Sequence, residues 1–260
     1  MQAHRPRKRF GQHFLRDRQV IARIVAAIDP RPGQAMVEIG PGEGVLTGPV
    51  LTACGRLEVV ELDRDLAAGL ADRLGNPPGL VVHQADALRF DFSELAQSGS
   101  LRVIGNLPYN VSTPLLFHLF DQAEAISDMV FMLQKEVVDR LVAEPGSSAY
   151  GRLSVMAAHY CDREWLFDVP PQAFHPPPKV DSAIIRLFPR EISAAERALL
   201  PRLEQLVRTA FGRRRKTLKR SLKGLLDVAA FEAAGIDPAA RPETLSLAQF
   251  RSLAEQIPAG

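Results

Sequence analysis

The sequence predicts an α/β fold: a mostly parallel, Rossmann-like sheet followed by a small all-α C-terminal domain. Three observations carry this. Between residues 35 and 142, short apolar runs alternate with segments of helical spacing, which is the pattern of repeated βαβ units. A glycine-rich turn, Gly40-Pro41-Gly42-Glu43-Gly44, joins the first of those runs to its helix. Past Pro189 no strand signal occurs, and residues 194–257 read as short helices broken at Gly224, Gly235-Ile236-Asp237-Pro238 and Arg241-Pro242. A chain of 260 residues favours a main domain plus an appendage. The boundary is placed at 190, with a main α/β domain over 1–190 and a helical domain over 191–260.

The elements follow in order. Gln19 to Ile28 has apolar residues at helical spacing (Val20, Ile21, Ile24, Val25, Ile28) and stops before Pro30. Strands are predicted at 35–39, 57–61, 80–83, 101–104 and 128–133, with helices at 45–53, 66–74, 112–120 and 135–142 between or after them. A further helix over 153–160 precedes strands at 165–169 and 183–188, which flank a proline-stiffened loop, Pro170 to Pro178. The run Arg208 to Leu226 has Phe211, Leu218, Leu222 and Leu225 on one side of a helical projection, and is predicted to be an amphipathic helix with a cationic face.

Composition narrows the function. No apolar run reaches the roughly 18 residues that a membrane span needs. Met1 to Arg9 is basic without an apolar core, so no secretory signal is expected, and Arg7-Lys8-Arg9 runs straight into candidate functional sequence, so no transit peptide is expected. The two cysteines, Cys54 and Cys161, are far apart, and the six histidines form no metal-binding spacing. A cytoplasmic, metal-free monomer is expected. The net charge of +2 conceals two basic blocks. Residues 1–18 carry Arg5, Arg7, Lys8, Arg9, Arg16 and Arg18 against Asp17. Residues 208–223 carry Arg208, Arg213, Arg214, Arg215, Lys216, Lys219, Arg220 and Lys223 with no acid. Such segregation suggests a polyanionic partner.

The residues after the fourth strand carry the chemistry. Asn106-Leu107-Pro108-Tyr109 offers an Asn side-chain oxygen and the Leu107 carbonyl, just before Pro108, as acceptors for the two hydrogens of one exocyclic amine. Tyr109 offers a ring face to the heterocycle that carries it, and the arrangement suits the N6 amine of adenine. That nitrogen is a poor nucleophile because its lone pair is delocalised into the ring. Accepting both hydrogens favours a more tetrahedral nitrogen and aims it, and orientation of this kind is worth roughly 7–11 kcal/mol. Phe174, carried by the proline loop, is expected to supply a second face. A base held this way must be unstacked, which favours a loop or a single strand.

The first strand, the glycine turn and two strand-end acids indicate the methyl donor. Three alternating glycines let backbone approach a ligand closely. Glu61 closes the second strand, where a carboxylate can accept both hydroxyls of a ribose. Asp86 follows the third strand and could accept from an adenine amine of the cofactor. Glu38 and Glu43 would repel a pyrophosphate. The set fits S-adenosylmethionine better than NAD.

Taken in order, Arg9-Phe10-Gly11-Gln12-His13-Phe14-Leu15, Glu38-Ile39-Gly40-Pro41-Gly42, Glu61-Leu62-Asp63, Gln84-Ala85-Asp86, Asn106-Leu107-Pro108-Tyr109-Asn110 and Phe174-His175-Pro176-Pro177-Pro178-Lys179-Val180 resemble the small-subunit ribosomal RNA adenine N6-dimethyltransferases. The likeness covers nearly the whole chain. It implies a Rossmann-like S-adenosylmethionine-dependent methyltransferase sheet, with cofactor contacts at His13, Leu15, Gly40, Glu61, Asp86 and Asn106. His13 departs from the family, which usually has Asn there. The implied substrate is a pair of adjacent adenosines in the 3′-terminal hairpin loop of 16S rRNA, within an immature small ribosomal subunit. RNA contacts are then expected at Arg7, Lys8, Arg9, Arg213, Arg214, Arg215, Lys216, Lys219 and Arg220. Two readings stay open beside this one: a large-subunit rRNA adenine methyltransferase of the antibiotic-resistance type, and a mainly non-catalytic ribosome-assembly factor. DNA methylation is disfavoured, because such enzymes typically show Pro-Pro where Leu107-Pro108 stands.

Overall fold

The computed structural model describes residues 13–96, 100–213 and 215–258. The chain divides into two compact units, one of residues up to 138 together with 163–189, the other of 139–162 together with 190 onward.

The first unit is built on a sheet. β2 (Ala35–Ile39), β3 (Leu57–Glu61), β4 (Leu80–Gln84), β5 (Leu101–Asn106), β6 (Ile126–Gln134), β7 (Cys161–Val169) and β9 (Ser182–Pro189) lie in the order β4-β3-β2-β5-β6-β9-β7. The first five are parallel, and β9 runs antiparallel to β6. Parallel strands need long crossovers, and α2 (Thr47–Cys54), α3 (Arg64–Arg73) and α4 (Ser112–Phe120) supply them, while α5 (Lys135–Val142) follows β6. The chain moves outward from β2 to β3 and β4, then returns to the other side of β2 with β5 and β6. The order therefore reverses between β2 and β5, and an open α/β sheet binds ligands at the carboxyl edge of that point.

The apolar runs of β2, β3, β5 and β6 became strands because they are buried on both faces, whereas β4, at the edge, is half-buried. Met36, Val37, Val59, Val103, Ile104 and Met129 are all at most 1% exposed. Around the sheet, α1 (Arg18–Ile28) buries Val20, Ile24 and Ile28 and ends where Asp29 turns left-handed, with φ 49°. A separate two-stranded ladder pairs β1 (Phe14–Leu15) with β8 (Phe174–His175), Leu15 lying opposite Phe174. The amides of Arg16 and Asp17 both donate to the Ala173 carbonyl, extending that junction.

The second unit is helical in its C-terminal part. α7 (Ala194–Gly212), α8 (Leu218–Ser221), α9 (Val228–Ala234) and α10 (Leu247–Glu255) follow one another with no strand among the described residues. α6 (Arg152–Tyr160), expected on the catalytic side of residue 190, groups here. The reason is its packing: the Tyr150 hydroxyl donates to the Leu245 carbonyl at 2.8 Å, Arg251 donates to His159 at 3.0 Å, and the Gly146 amide reaches the Glu243 carbonyl at 2.7 Å.

The helix predicted over Arg208–Leu226 is not continuous. α7 runs to Gly212, Arg213 leaves helical geometry at φ −131°, and α8 restarts only after Thr217. A glycine at the break and the row of cations Arg213 to Lys216 both disfavour helix, the first by backbone entropy and the second by like-charge crowding. Leu218 and Leu222 are nonetheless buried, so the apolar spacing marked a real inward face.

Candidate active site

A cavity opens at the carboxyl ends of β2, β3 and β5, at the reversal of strand order. Gly40 leaves β2 with φ 66°, its amide donating to the Val60 carbonyl at 2.9 Å. A Cβ on Gly40 would stand 3.8 Å from the Asn106 backbone oxygen, so the glycine turn and the end of β5 meet across this gap. Gly42 packs under Phe14, where a Cβ would stand 3.3 Å from the ring. That contact draws His13 and Leu15 onto the rim.

Three buried acids, Glu38, Glu61 and Asp63, line the cavity. Glu61 closes β3 and accepts from the amides of Asp63 at 2.9 Å and Gly42 at 3.2 Å, one on each oxygen. Burial lifts its pKa above the ordinary carboxylate value, with those amides opposing the shift. Glu38, only 2% exposed, accepts from the Thr47 hydroxyl at 2.6 Å. Burial is the main cause that pushes it up to about 7; the Thr47 bond opposes and the Glu61 charge adds. The sequence signal for Glu38 was present, an acid inside the apolar run 35–39, but it served only to argue against a pyrophosphate.

The strand β5 delivers the second half of the site. Asn106 is its last residue, and its Nδ2 donates to the His13 carbonyl at 3.4 Å. No described residue donates to its Oδ1, which is left as an acceptor. Leu107 is buried and anchored by its amide to the Met132 carbonyl at 3.2 Å. Pro108 begins a turn closed by the Val111 amide on the Pro108 carbonyl at 3.1 Å. Tyr109, inside that turn, joins its hydroxyl to Ser182 Oγ at 2.6 Å and stacks its ring on His13, 5.7 Å between centroids and 27° between planes. His13 in turn donates from Nδ1 to the Pro176 carbonyl at 2.8 Å, which requires the proton on that nitrogen.

Of the residues expected from sequence, His13, Leu15, Gly40, Glu61, Asn106, Leu107, Pro108 and Tyr109 share this cavity. Asp86 does not line it; its carboxylate caps the turn after β4 by accepting from the Leu88 amide at 3.0 Å. Phe174 does not line it either. It is 4% exposed, part of the core formed with Leu15, Ile24, Val169 and Ile184. The pairing of β8 with β1 holds Phe174 there, and the aromatic surface beside Tyr109 is His13 instead. Leu62, 54% exposed and next to Glu61, lines the cavity and went unassigned. A leucine between two acids at a strand end, Glu61-Leu62-Asp63, was the available signal.

Arg213, Arg215, Lys216, Lys219 and Arg220 are exposed on the second unit, and all but Lys219 border a cleft floored by Phe211. Arg7, Lys8, Arg9 and Arg214 lie outside the described residues. No helix among the described residues is long and apolar enough to cross a membrane.

The lining fits a sulfonium donor. Among the described residues it contains Glu38, Glu43, Glu61 and Asp63 and no lysine or arginine; with Glu43 paired to Arg16 at 2.6 Å, Glu61 and Asp63 are left to favour a cation over a pyrophosphate. Backbone freed of Cβ atoms at Gly40 and Gly42 supplies the close approach. Fold and cavity together define a Rossmann-like, S-adenosylmethionine-dependent methyltransferase. Likeness to known proteins narrows this class. A model of the ribosomal RNA adenine dimethylases matches residues 3–258, and the chain belongs to that family. Over 98% of its length it is 57% identical to the ribosomal RNA small subunit methyltransferase A of Acinetobacter baylyi, covering 94% of that protein. Its fold is similar to a crystallised dimethyladenosine transferase from Plasmodium falciparum, at 25% identity and TM-score 0.79 over 93% of this chain and 96% of that one. It is similar also to the 23S rRNA methyltransferase ErmE, at 29% identity and TM-score 0.69 over 94% and 99%. The chain is an rRNA adenine N6-dimethyltransferase with S-adenosylmethionine as its methyl donor.

Proposed function

We propose that this enzyme dimethylates N6 of two adjacent adenosines in the 3′-terminal hairpin loop of 16S rRNA, acting as a cytoplasmic monomer on an immature small subunit during its biogenesis. The observation that carries the reading is the shared cavity: Gly40 and Glu61 open onto the same space as Asn106 and Tyr109. The small-subunit target is supported by the curated relative of that name at 57% identity, against 29% for the 23S enzyme.

Gly40, Glu61, Leu15 and the His13 segment would hold S-adenosylmethionine, which supplies an electrophilic methyl group on a sulfonium. Asn106 Oδ1 and the Leu107 carbonyl accept the two hydrogens of the target amine, and the Nδ2 bond to the His13 carbonyl keeps the amide from turning over. The Leu107 amide bond to the Met132 carbonyl anchors the backbone just before the Leu107 carbonyl. Tyr109 forms a wall of the base site. The amine loses a proton after it has gained its methyl, so no general base is required beside it. Residues 191–260 serve as the RNA-binding domain, with Arg213, Arg215, Lys216, Lys219 and Arg220 on phosphates.

Asn106→Ala is expected to lower methyl transfer to immature small subunits by about 100-fold or more, the cost of losing one aimed polar group, while S-adenosylhomocysteine still binds. Tritiated-methyl incorporation and calorimetry measure the two. Undiminished incorporation would remove Asn106 from the mechanism.

A further inference from the structure

Tyr109 stands in a turn, where a long ring on two rotatable bonds has little to hold its plane. Its far end is nevertheless tied down. The phenol meets Ser182 Oγ at 2.6 Å, and Ser182 is fully buried. Ser182 opens β9, lies opposite Gln134 of β6, and belongs to a strand enclosed between β6 and β7. The bond therefore runs from a surface turn to the interior of the sheet. One side of the ring also meets His13, which is itself held through Nδ1 by the Pro176 carbonyl. Burial raises the phenol pKa and the Ser182 bond opposes that rise, so the hydroxyl is a neutral hydrogen-bonding group at ordinary pH.

We propose that Ser182 is a positioning residue for methyl transfer, setting the plane of the Tyr109 ring before the target adenine arrives. This rests on the reading of Tyr109 as a wall of the base site. Ser182 touches neither base nor methyl donor; it acts through Tyr109 alone. Preorganisation of this kind keeps the amine aligned with Asn106 and Leu107, since small misplacements at a reacting centre are costly. Neither the glycine turn nor the acids need Ser182, so donor binding is independent of it.

The test is a double-mutant cycle with Tyr109→Phe, Ser182→Ala and the pair, plus Tyr109→Ala, assayed on immature small subunits with tritiated S-adenosylmethionine. Tyr109→Phe removes the same hydrogen bond from the other end and leaves the buried serine in place, which separates loss of the bond from damage at Ser182. Each single change is expected to lower kcat/KM for the RNA about tenfold, and the double change no further, because both delete one hydrogen bond. S-adenosylhomocysteine affinity by calorimetry should stay within about twofold in every variant, which a misfolded site would not allow. Multiplying defects, weakened S-adenosylhomocysteine binding in Ser182→Ala, or Ser182→Ala at wild-type efficiency beside an impaired Tyr109→Ala would overturn the proposal. Wild-type efficiency in Tyr109→Ala would instead overturn the reading of Tyr109 beneath it.

Discussion

Glu38 shows how burial at a single residue links the cofactor cavity to pH. Its folded pKa stands at about 7, raised chiefly by burial, against 4.5 for a free glutamate. In the folded state the proton stays on well beyond the pH at which the unfolded chain releases it. The stabilisation this gives is complete below the unfolded value and is lost as pH rises through the folded one. Glu38→Gln cannot titrate, yet its amide oxygen can still accept from Thr47. The variant should therefore gain thermal stability relative to the parent between about pH 5 and about pH 8, and melting curves across that range measure it. Parallel curves would mean that the carboxyl is already ionised at neutral pH. The same residue shows how much of the site sequence exposed. Asn106 to Tyr109 could be read because a strand end, a proline and a ring are adjacent along the chain. Glu38 could be seen but not weighed, because its burial is made by strands and helices far from it. Phe174 was misplaced for the same reason: whether a phenylalanine after two prolines faces a ligand or the core is decided by its pairing with Leu15, 159 residues earlier.

At the scale of elements, the joint between β2 and β5 carries the site. Gly105 lies opposite Ile39, and a Cβ there would stand 2.5 Å from the Ile39 carbonyl oxygen. The strands could not keep their spacing, and Asn106 is the next residue. Gly105→Ala is expected to destabilise the protein by about 1–3 kcal/mol, as overpacking does. A lowered urea midpoint with an unchanged m-value would show this, whereas an unchanged midpoint would refute the close approach. The central sheet elements were legible because parallel strands buried on both faces are largely apolar, and their carboxyl ends carry the glycines and acids. The stretch 208–226 was harder. Its apolar spacing correctly marked Leu218 and Leu222 as inward, but spacing says nothing of whether a helix continues through Gly212 and four consecutive cations.

Across the whole molecule, charge is divided between an acidic cavity and exposed basic surface. The acids of the cavity favour a sulfonium, and Arg213, Arg215, Lys216, Lys219 and Arg220 are exposed, where phosphates can neutralise them. Replacing Arg213, Arg215, Lys216 and Arg220 with alanine should weaken binding to immature small subunits and reduce the slope of log affinity against log salt by about 3, from 0.7–0.9 per phosphate contact. A slope equal to the parent's would place RNA binding elsewhere on the surface. On the proposed function, one cavity brings a methyl donor to the N6 amines of two neighbouring adenosines in small-subunit RNA. Mass spectrometry of nuclease fragments tests it most directly, using immature small subunits and, in parallel, 23S rRNA incubated with the purified protein and S-adenosylmethionine. N6,N6-dimethyladenosine is expected at two adjacent positions in the 3′-terminal hairpin of 16S rRNA, with no new methyl groups in 23S rRNA. Methylation confined to 23S rRNA, or none in either, would contradict it.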